Sequence, residues 1–344
     1  MINPKAFVQV TIFDKFGIEL SEIQTVGAFS WRLTEEGQGS LFVPFNDPAC
    51  RSEIISISNL VLVRFQDGLP DWGGVMDTPI NITEEGVNAT VYTPEHMWSW
   101  RRTSKRLVST QLPSGPAFKR ILDDLNATHP ASINPTDTIY GGGLPRTREY
   151  NYSDPFSAIR DLASSSGHEW VITPVLRKGV LSFSASWYDK CGLDKSATVE
   201  LINNQNAYLS LGYQGQIVNH LHVAGQGVSW TPDRMDITVS DAYSRFKYGF
   251  REYSIIQPDV GMPESLASDA KDILMHMKDP QKILSGTVLD LPPARFSQYD
   301  IGDTIAVSAF HRGGENWALI KAKFRLHARE RLVDGTCNVV LIGV

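Results

Sequence analysis

Short runs of alternating apolar and polar residues recur through the first hundred positions, and turn residues punctuate them. Successive side chains of a strand point to opposite faces, so a period of two marks a strand with one wet face. In residues 7–13, Val8, Val10 and Ile12 share one face while Gln9 and Thr11 take the other. The turn "DKFG" follows. Residues 29–33 and 41–45 form two further runs, joined by "TEEGQGS", whose two glycines permit a bend that residues with a Cβ resist. Residues 60–65 put Val61, Val63 and Phe65 on one face. A turn at Asp67-Gly68 leads to a strand at 72–76, and 87–92 adds another. Strands at intervals of 8–12 residues predict a barrel or a sandwich.

The texture changes near residue 101. The basic cluster "RRTSKR" (101–106) reads as a solvated linker. In "PSGPAFKRILDDLNA", Ser114 is placed to cap a helix and Pro116 to sit in its first turn. Phe118, Ile121, Leu122 and Leu125 then form one helical face. "SDPFSAIRDLASSSGHEW" repeats the grammar: Asp154 caps, Pro155 starts, Phe156, Ile159, Leu162 and Ala163 make the stripe, and Gly167 stops the helix. "EWVITPVLRKGVLSFSASW" reads as a hairpin. From 207 the β texture returns in "AYLSLGYQ", "NHLHVAGQG" and "MDITVSDA". A helix with Leu266, Ala270, Ile273 and Met277 on its buried face interrupts it, and strands at 286–289, 304–308, 318–326 and 337–342 close the chain. The expected class is mainly β with an α+β insertion. Residues 1–100 form one β unit, 101–206 the insertion, and 207–344 a second β unit with a helical insertion near 255–285.

Length and composition narrow the function. A chain of 344 residues accommodates two to four subdomains, and 42% hydrophobic against 20% charged residues suits a packed core. The net charge of −6 disfavours a nucleic-acid clamp, which needs clustered Lys and Arg. The N-terminus lacks the apolar core of a signal peptide, and no apolar run approaches the ~20 residues that cross a bilayer. A chain made in the cytoplasm is expected. Cys50, Cys191 and Cys337 form neither a CxxC nor a disulfide framework.

Searches for chemistry return incomplete motifs. His168-Glu169 lacks the second histidine of a zincin helix, since Ile172 stands there. His220 and His222 alternate along a strand and share a face that suits a metal, but the sequence offers no third ligand. "GQGSLF" and "GQGVSW" begin like dinucleotide loops, yet Phe42 and Trp230 stand at the third glycine. There is no phosphate loop and no G-x-S-x-G elbow. No catalytic, cofactor or metal residue is assigned. Tryptophans such as Trp72, Trp100 and Trp317 read as core or subunit contacts.

In their order, several segments resemble those of the tail-hub proteins of tailed bacteriophages, the baseplate or tail-tip hub family. "FSWRLTEEGQGSLFVPFNDP" is similar to the hub hairpin, and "VLVRFQDGLPDWGGVMDTP" to its strand, turn and Trp-x-Gly segment, carried here by Trp72 and Gly74. "YNYSDPFSAIRDLASSSGHEWVI" matches the family's helix-to-strand passage. "IVNHLHVAG" supplies Asn219, and "SRFKYGFREYSI" supplies Tyr248, Gly249, Arg251 and Glu252. "YDIGDTIAV" gives the strand entry at Gly302 and Asp303. The resemblance runs nearly the whole chain. It implies two barrels per chain related to tail-tube subunits, with inserted domains and no enzymatic activity or cofactor. It also implies a homotrimeric ring at the virion tail tip, assembled in the host cytoplasm. That ring joins the hexameric tail tube to a central spike or fibre and forms part of the DNA ejection channel. Its expected partners are a distal tail or tail-tube protein, the tape measure protein and a spike or fibre on a separate polypeptide, since the chain ends at Val344 straight after its last strand. Genomic DNA would pass through without specific binding. The competing readings are a cell-wall hydrolase built on His168, Glu169, Asp161 and Cys191, and a receptor-binding tip protein that uses exposed aromatics.

Overall fold

The computed structural model describes residues 8–128, 133–225, 227, 234–257, 260, 262–313 and 316–344. The first β unit consists of β1 (Val8–Phe13), β2 (Glu19–Arg32), β3 (Gln38–Pro44), β4 (Leu60–Arg64), β5 (Trp72–Ile82) and β6 (Gly86–Tyr92). Their order is β1-β4-β5-β6-β3-β2, and β2 pairs back to β1, so the sheet closes as a six-stranded barrel. Val61 and Val63 fill its interior with Val8, Val10 and Ile12. Leu60 and Leu62, on the other face of β4, belong to a different core outside the barrel. The uninterrupted apolar run of β4 therefore records a strand covered on both faces.

The "TEEGQGS" bend works differently from the expectation. The left-handed residue there is Thr34, at φ 56°, and neither glycine has a positive φ. Gly37 and Gly39 are needed for space: a Cβ on Gly37 would strike the Ser30 carbonyl, and one on Gly39 would meet the rings of Phe29 and Trp72.

The second core is built by the insertion: α1 (His96–Ser99), β7 (Leu107–Leu112), α2 (Ser114–Thr128), β8 (Ile133–Ile139), β9 (Arg146–Tyr150), α3 (Pro155–Ser166), β10 (Glu169–Arg177) and β11 (Val180–Tyr188). Helix α3 is delimited as its sequence dictates. Asp154 accepts from the Phe156 amide at 3.2 Å, Pro155 opens the helix, and Gly167 ends it in the left-handed conformation at φ 68°. β10 and β11 form the expected hairpin, with β8 parallel to β11. The hairpin presses on the barrel so closely that a Cβ on Gly73 of β5 would lie 2.7 Å from the Phe183 ring. Residues 101–106 are largely exposed, as a solvated linker is, but they are also anchored. Thr103 is buried, the Arg101 guanidinium donates to the Leu125 carbonyl, and the Ser104 amide donates to Asp124 at 2.9 Å. The basic side chains conceal this anchoring, because the backbone beneath them is tied to α2.

The remaining elements are β12 (Glu200–Ile202), β13 (Ala207–Gln214), β14 (His220–Ala224), β15 (Asp236–Ser240), α4 (Ala242–Tyr248), β16 (Glu252–Ile256), α5 (Pro263–Met277), β17 (Gln281–Val288), β18 (Thr304–Gly313), β19 (Asn316–Arg331) and β20 (Cys337–Gly343). The order β13-β17-β20-β19-β18-β12 makes a second six-stranded unit around its own core. Its seam between β12 and β13 carries the Asn203–Ala207 bridge. There the buried Asn206 side chain accepts from the Ile202 amide at 2.7 Å and donates to the Glu200 carbonyl at 3.1 Å. The strands at 220–224 and 236–240, read from sequence as part of this β unit, instead form a separate sheet, β15-β14-β16, with α5 packed on it. Helix α4, between Asp241 and Gly249, was not foreseen. Its seven residues are too few for a clear stripe, although the Asp cap and the Gly stop were both legible.

The two six-stranded units share one continuous sheet, because residues 328–331 of β19 pair with residues 29–32 of β2. The fully buried Arg329 reinforces this joint, its guanidinium 5.2 Å from the Trp31 ring and 5.6 Å from the Tyr299 ring. It donates to the Tyr299 carbonyl and to Asp300, each at 3.0 Å. Arg331 crosses the joint to Asp67 at 3.0 Å, above the Phe65 ring. Arg329→Ala is expected to lower stability by about 3 kcal/mol or more, through a lost buried partner and the void it leaves. Arg32→Ala, removing an exposed pair with Glu35, should change it by less than about 1 kcal/mol. Urea midpoints of the two variants measure the difference.

Candidate functional site

Four polar clusters stand out against the apolar cores. The first lies where the first barrel meets the insertion. His96 of α1 bridges Glu36 at 2.7 Å and Asp77 of β5 at 3.0 Å, and it stacks on Tyr92 with ring centroids 4.1 Å apart. The hydrogen bond to Glu36 raises the His96 pKa against the effect of burial. Beside it, Glu95 is buried and its Oε2 has no hydrogen-bond partner. Burial, with the Glu36 charge adding to it, pushes the Glu95 carboxyl up to about 7.

The second cluster fastens the insertion to the second β unit. Arg325 of β19 grips Glu169 of β10 with two bonds, at 2.5 and 2.6 Å. The same guanidinium donates to the carbonyls of Gly302 at 2.8 Å and Cys191 at 2.6 Å. Burial opposes ionisation of Glu169, but the Arg325 bonds and the Cys191 amide outweigh it and hold its pKa below the usual value. Asp303 completes the clamp, accepting from the Leu193 amide and pairing with Lys195, both at 2.7 Å. Gly302 has φ 89°, and a Cβ there would sit 2.8 Å from the Cys191 carbonyl oxygen. The motif glycine and aspartate thus sit where two backbone segments cross.

The third cluster resembles nucleophilic machinery. Ser114 Oγ lies 2.5 Å from His168 Nδ1, and His168 Nε2 lies 3.5 Å from Asp189. No sequence motif links these residues, and only folding brings them together. Ser114 is buried, however, and its Oγ already accepts from the Trp187 indole at 3.2 Å. A nucleophile must reach a substrate atom along an open path, and this hydroxyl has none. Of the other hydrolase candidates, Glu169 is committed to Arg325, and burial raises the Cys191 thiol to about 11, which starves it of thiolate. Asp161 lies apart, in the cleft beside Arg146 and Arg148.

The fourth cluster occupies the exposed face of the β15-β14-β16 sheet. His220, His222 and Glu252 offer ligand atoms within 4.8 Å of one another. The sequence reading lacked this third ligand because it lies 30 positions from His222, and only the parallel pairing of β14 with β16 brings it near.

The remaining motif positions make the following contacts. Trp72 lies in the core of the first barrel, donates its indole N–H to the Ser30 carbonyl at 3.0 Å and packs 5.0 Å from Phe29. A Cβ on Gly74 would strike the Tyr92 carbonyl oxygen and sit 2.7 Å from that same Trp72 ring, so backbone and ring together exclude it. Asn219, fully buried, donates to the Gly249 carbonyl at 2.7 Å and accepts from the Arg251 amide at 2.8 Å. Gly249 ends α4 at φ 78° and ψ 172°, a region closed to residues with a Cβ, and Arg251 donates back to the Tyr248 carbonyl at 3.3 Å. Trp100 is half-exposed, whereas the Trp317 side chain and the loop holding Trp230 lie outside the described residues.

No protein-family model and no curated protein sequence matches the chain. Solved structures do. The prophage tail protein gp18 from Listeria monocytogenes EGD-e superposes with a TM-score of 0.60 at 11% identity, over 97% of this chain and 94% of that one. The prophage MuSo2 43 kDa tail protein from Shewanella oneidensis gives 0.60 at 12%, over 97% and 98%. The E. coli c3393 protein gives 0.50 at 11%, over 93% and 73%; it is described as a type VI secretion component similar in structure to the T4 tail proteins gp27 and gp5. The chain shares the fold of these phage tail proteins, and the sequence resemblance is met at the level of fold.

Glu95 gives the site a pH signature. Its folded pKa lies above the unfolded value of 4.5, so between pH 4.5 and about 7 the unfolded chain ionises while the folded chain keeps the proton. Stability from this group is complete below pH 4.5 and falls by up to about 3 kcal/mol as pH rises through that window. Glu95→Gln should flatten the fall, leaving the variant relatively more stable at pH 8 than at pH 4.5. Urea midpoints at the two pH values test this, and parallel profiles for variant and wild type would refute it.

Proposed function

We propose that the chain is a structural virion protein of the tail tip or baseplate, a hub that forms a homotrimeric ring between the hexameric tail tube and a central spike or fibre. The observation that carries the reading is the pair of six-stranded units fused through β2 and β19, matched nearly end to end with solved tail proteins. Two such units per chain give a threefold ring six similar surfaces for a sixfold tube and three equivalent sites for a tip. In this reading residues 1–100 and 207–344 supply the ring wall, and 101–206 braces them from outside. The motif residues Trp72, Gly74, Asn219, Tyr248, Gly249, Arg251, Gly302 and Asp303 serve folding, not ligand binding.

The case for threefold closure is one of surface matching. The first barrel closes on itself and so offers no open strand edge for association. The chain acts without catalysis, a reading supported by the sealed Ser114 hydroxyl and the committed Glu169. The ring forms in the host cytoplasm beside a distal tail or tail-tube protein and the tape measure protein, and it becomes part of the ejection channel. Each chain carries −6, so the assembled ring is acidic overall and repels phosphate, which suits DNA that must pass without sticking.

Native mass spectrometry of the purified protein, across a concentration series, should reach a species of three chains with no larger stacked series. A duplex-DNA mobility shift at about 0.15 M salt should show no complex. A stable dimer or hexamer, or tight DNA binding, would contradict the proposal.

A further inference from the structure

The cluster on the β15-β14-β16 sheet has chemistry that the assembly role does not use. β14 alternates: Leu221 and Val223 are buried in the core under α5, and His220 and His222 take the opposite face. Parallel register sets Glu252 of β16 beside His220, and antiparallel register sets Thr238 of β15 beside His222. All three strands are hydrogen-bonded together, so backbone pairing, not loop conformation, fixes the spacing of the ligands.

His222 is held at both ring nitrogens. Its Nδ1 lies 2.6 Å from Thr238 Oγ1, and its Nε2 lies 2.6 Å from Glu252 Oε1. A proton on Nε2 bridges the imidazole to the carboxylate, and a divalent ion that displaces it would meet the same nitrogen and oxygen. The His220 ring stands 4.9 Å away, nearly perpendicular to that of His222, and its buried Nδ1 has no hydrogen-bond partner. Two imidazoles and one carboxylate, with one imidazole oriented through its far nitrogen by a hydroxyl, make the donor set and supporting contact of a zinc-type site with an open position. Ligands about 2.0–2.2 Å from a tetrahedral ion stand a little over 3 Å apart, so closing the site needs only a small movement of the half-exposed Glu252 side chain.

We propose that His220, His222 and Glu252 form a binding site for one first-row divalent transition ion of the zinc type, leaving one coordination position to solvent. This assignment is independent of the hub reading. Other thiol ligands compete poorly, since burial raises the pKa of Cys191 to about 11 and that of Cys337 to about 12.

Protein stripped with chelator would be titrated with Zn²⁺ by calorimetry and against a chromophoric chelator, with Co²⁺ absorption reporting the geometry. The expected result is one ion per chain and a four-coordinate nitrogen–oxygen spectrum. His222→Ala should abolish both, and Thr238→Val, which leaves all three ligands in place, should weaken binding about tenfold. Circular dichroism of each variant establishes that it is folded. Failure of the wild type to bind, or binding unchanged in a folded His220→Ala/His222→Ala double variant, would overturn the assignment.

Discussion

The four-residue pairing between β19 and β2 turns the closed barrel and the second six-stranded unit into one object. Besides it, the turn between β4 and β5 reaches the second unit, where Leu69 enters the second core and Asp67 pairs with Arg331. Backbone hydrogen bonds alone make a weak hinge, so the side chains around the joint matter more. Arg329 buries its charged side chain, where two aromatic faces, a carbonyl and Asp300 receive it. Arg331 repeats the device one strand period away, reaching Asp67 on the turn between β4 and β5. A buried guanidinium stripped of these partners is costly, so the relative setting of the two units has little freedom.

The insertion adds a second constraint. It covers the outer face of β1, β4 and β5 with Phe183, Trp98 and their neighbours, and it reaches the second β unit through the bidentate Glu169–Arg325 clamp. Arg146 of β9 forms a buried ion pair with Asp269 of α5, which ties the small sheet-and-helix unit to the same brace. Every block of the chain is therefore fastened to at least one other by a charged pair with little exposure.

How much of this the sequence revealed follows from the range of the interactions. Local signals were legible: the inward face of β1 at Val8, Val10 and Ile12, the Asp154–Pro155–Gly167 punctuation of α3, and the β10–β11 hairpin each depend on neighbours within a few residues. Thr11, by contrast, reads as facing water but is buried on the insertion's side of the barrel. Trp72 and Gly74 were legible as a motif, but their reason, a ring and a backbone carbonyl lying against a missing Cβ, was not. What was missed shares one cause. The "RRTSKR" segment, the glycines of the N-terminal hairpin and the strands at 220–224 and 236–240 all take their roles from residues distant in sequence. The same holds for Glu252, which becomes a neighbour of His220 only once β16 lies parallel to β14.

The central claim is that two fused six-stranded units per chain convert a sixfold tube into a threefold tip. Electron cryo-microscopy of intact particles containing this chain tests it most directly, through copy number and position. The account predicts three copies in a single ring at the distal end of the tail tube, with β2 and β19 paired in each. Copies stacked along the tail, six copies in one ring, or copies in the head would contradict it.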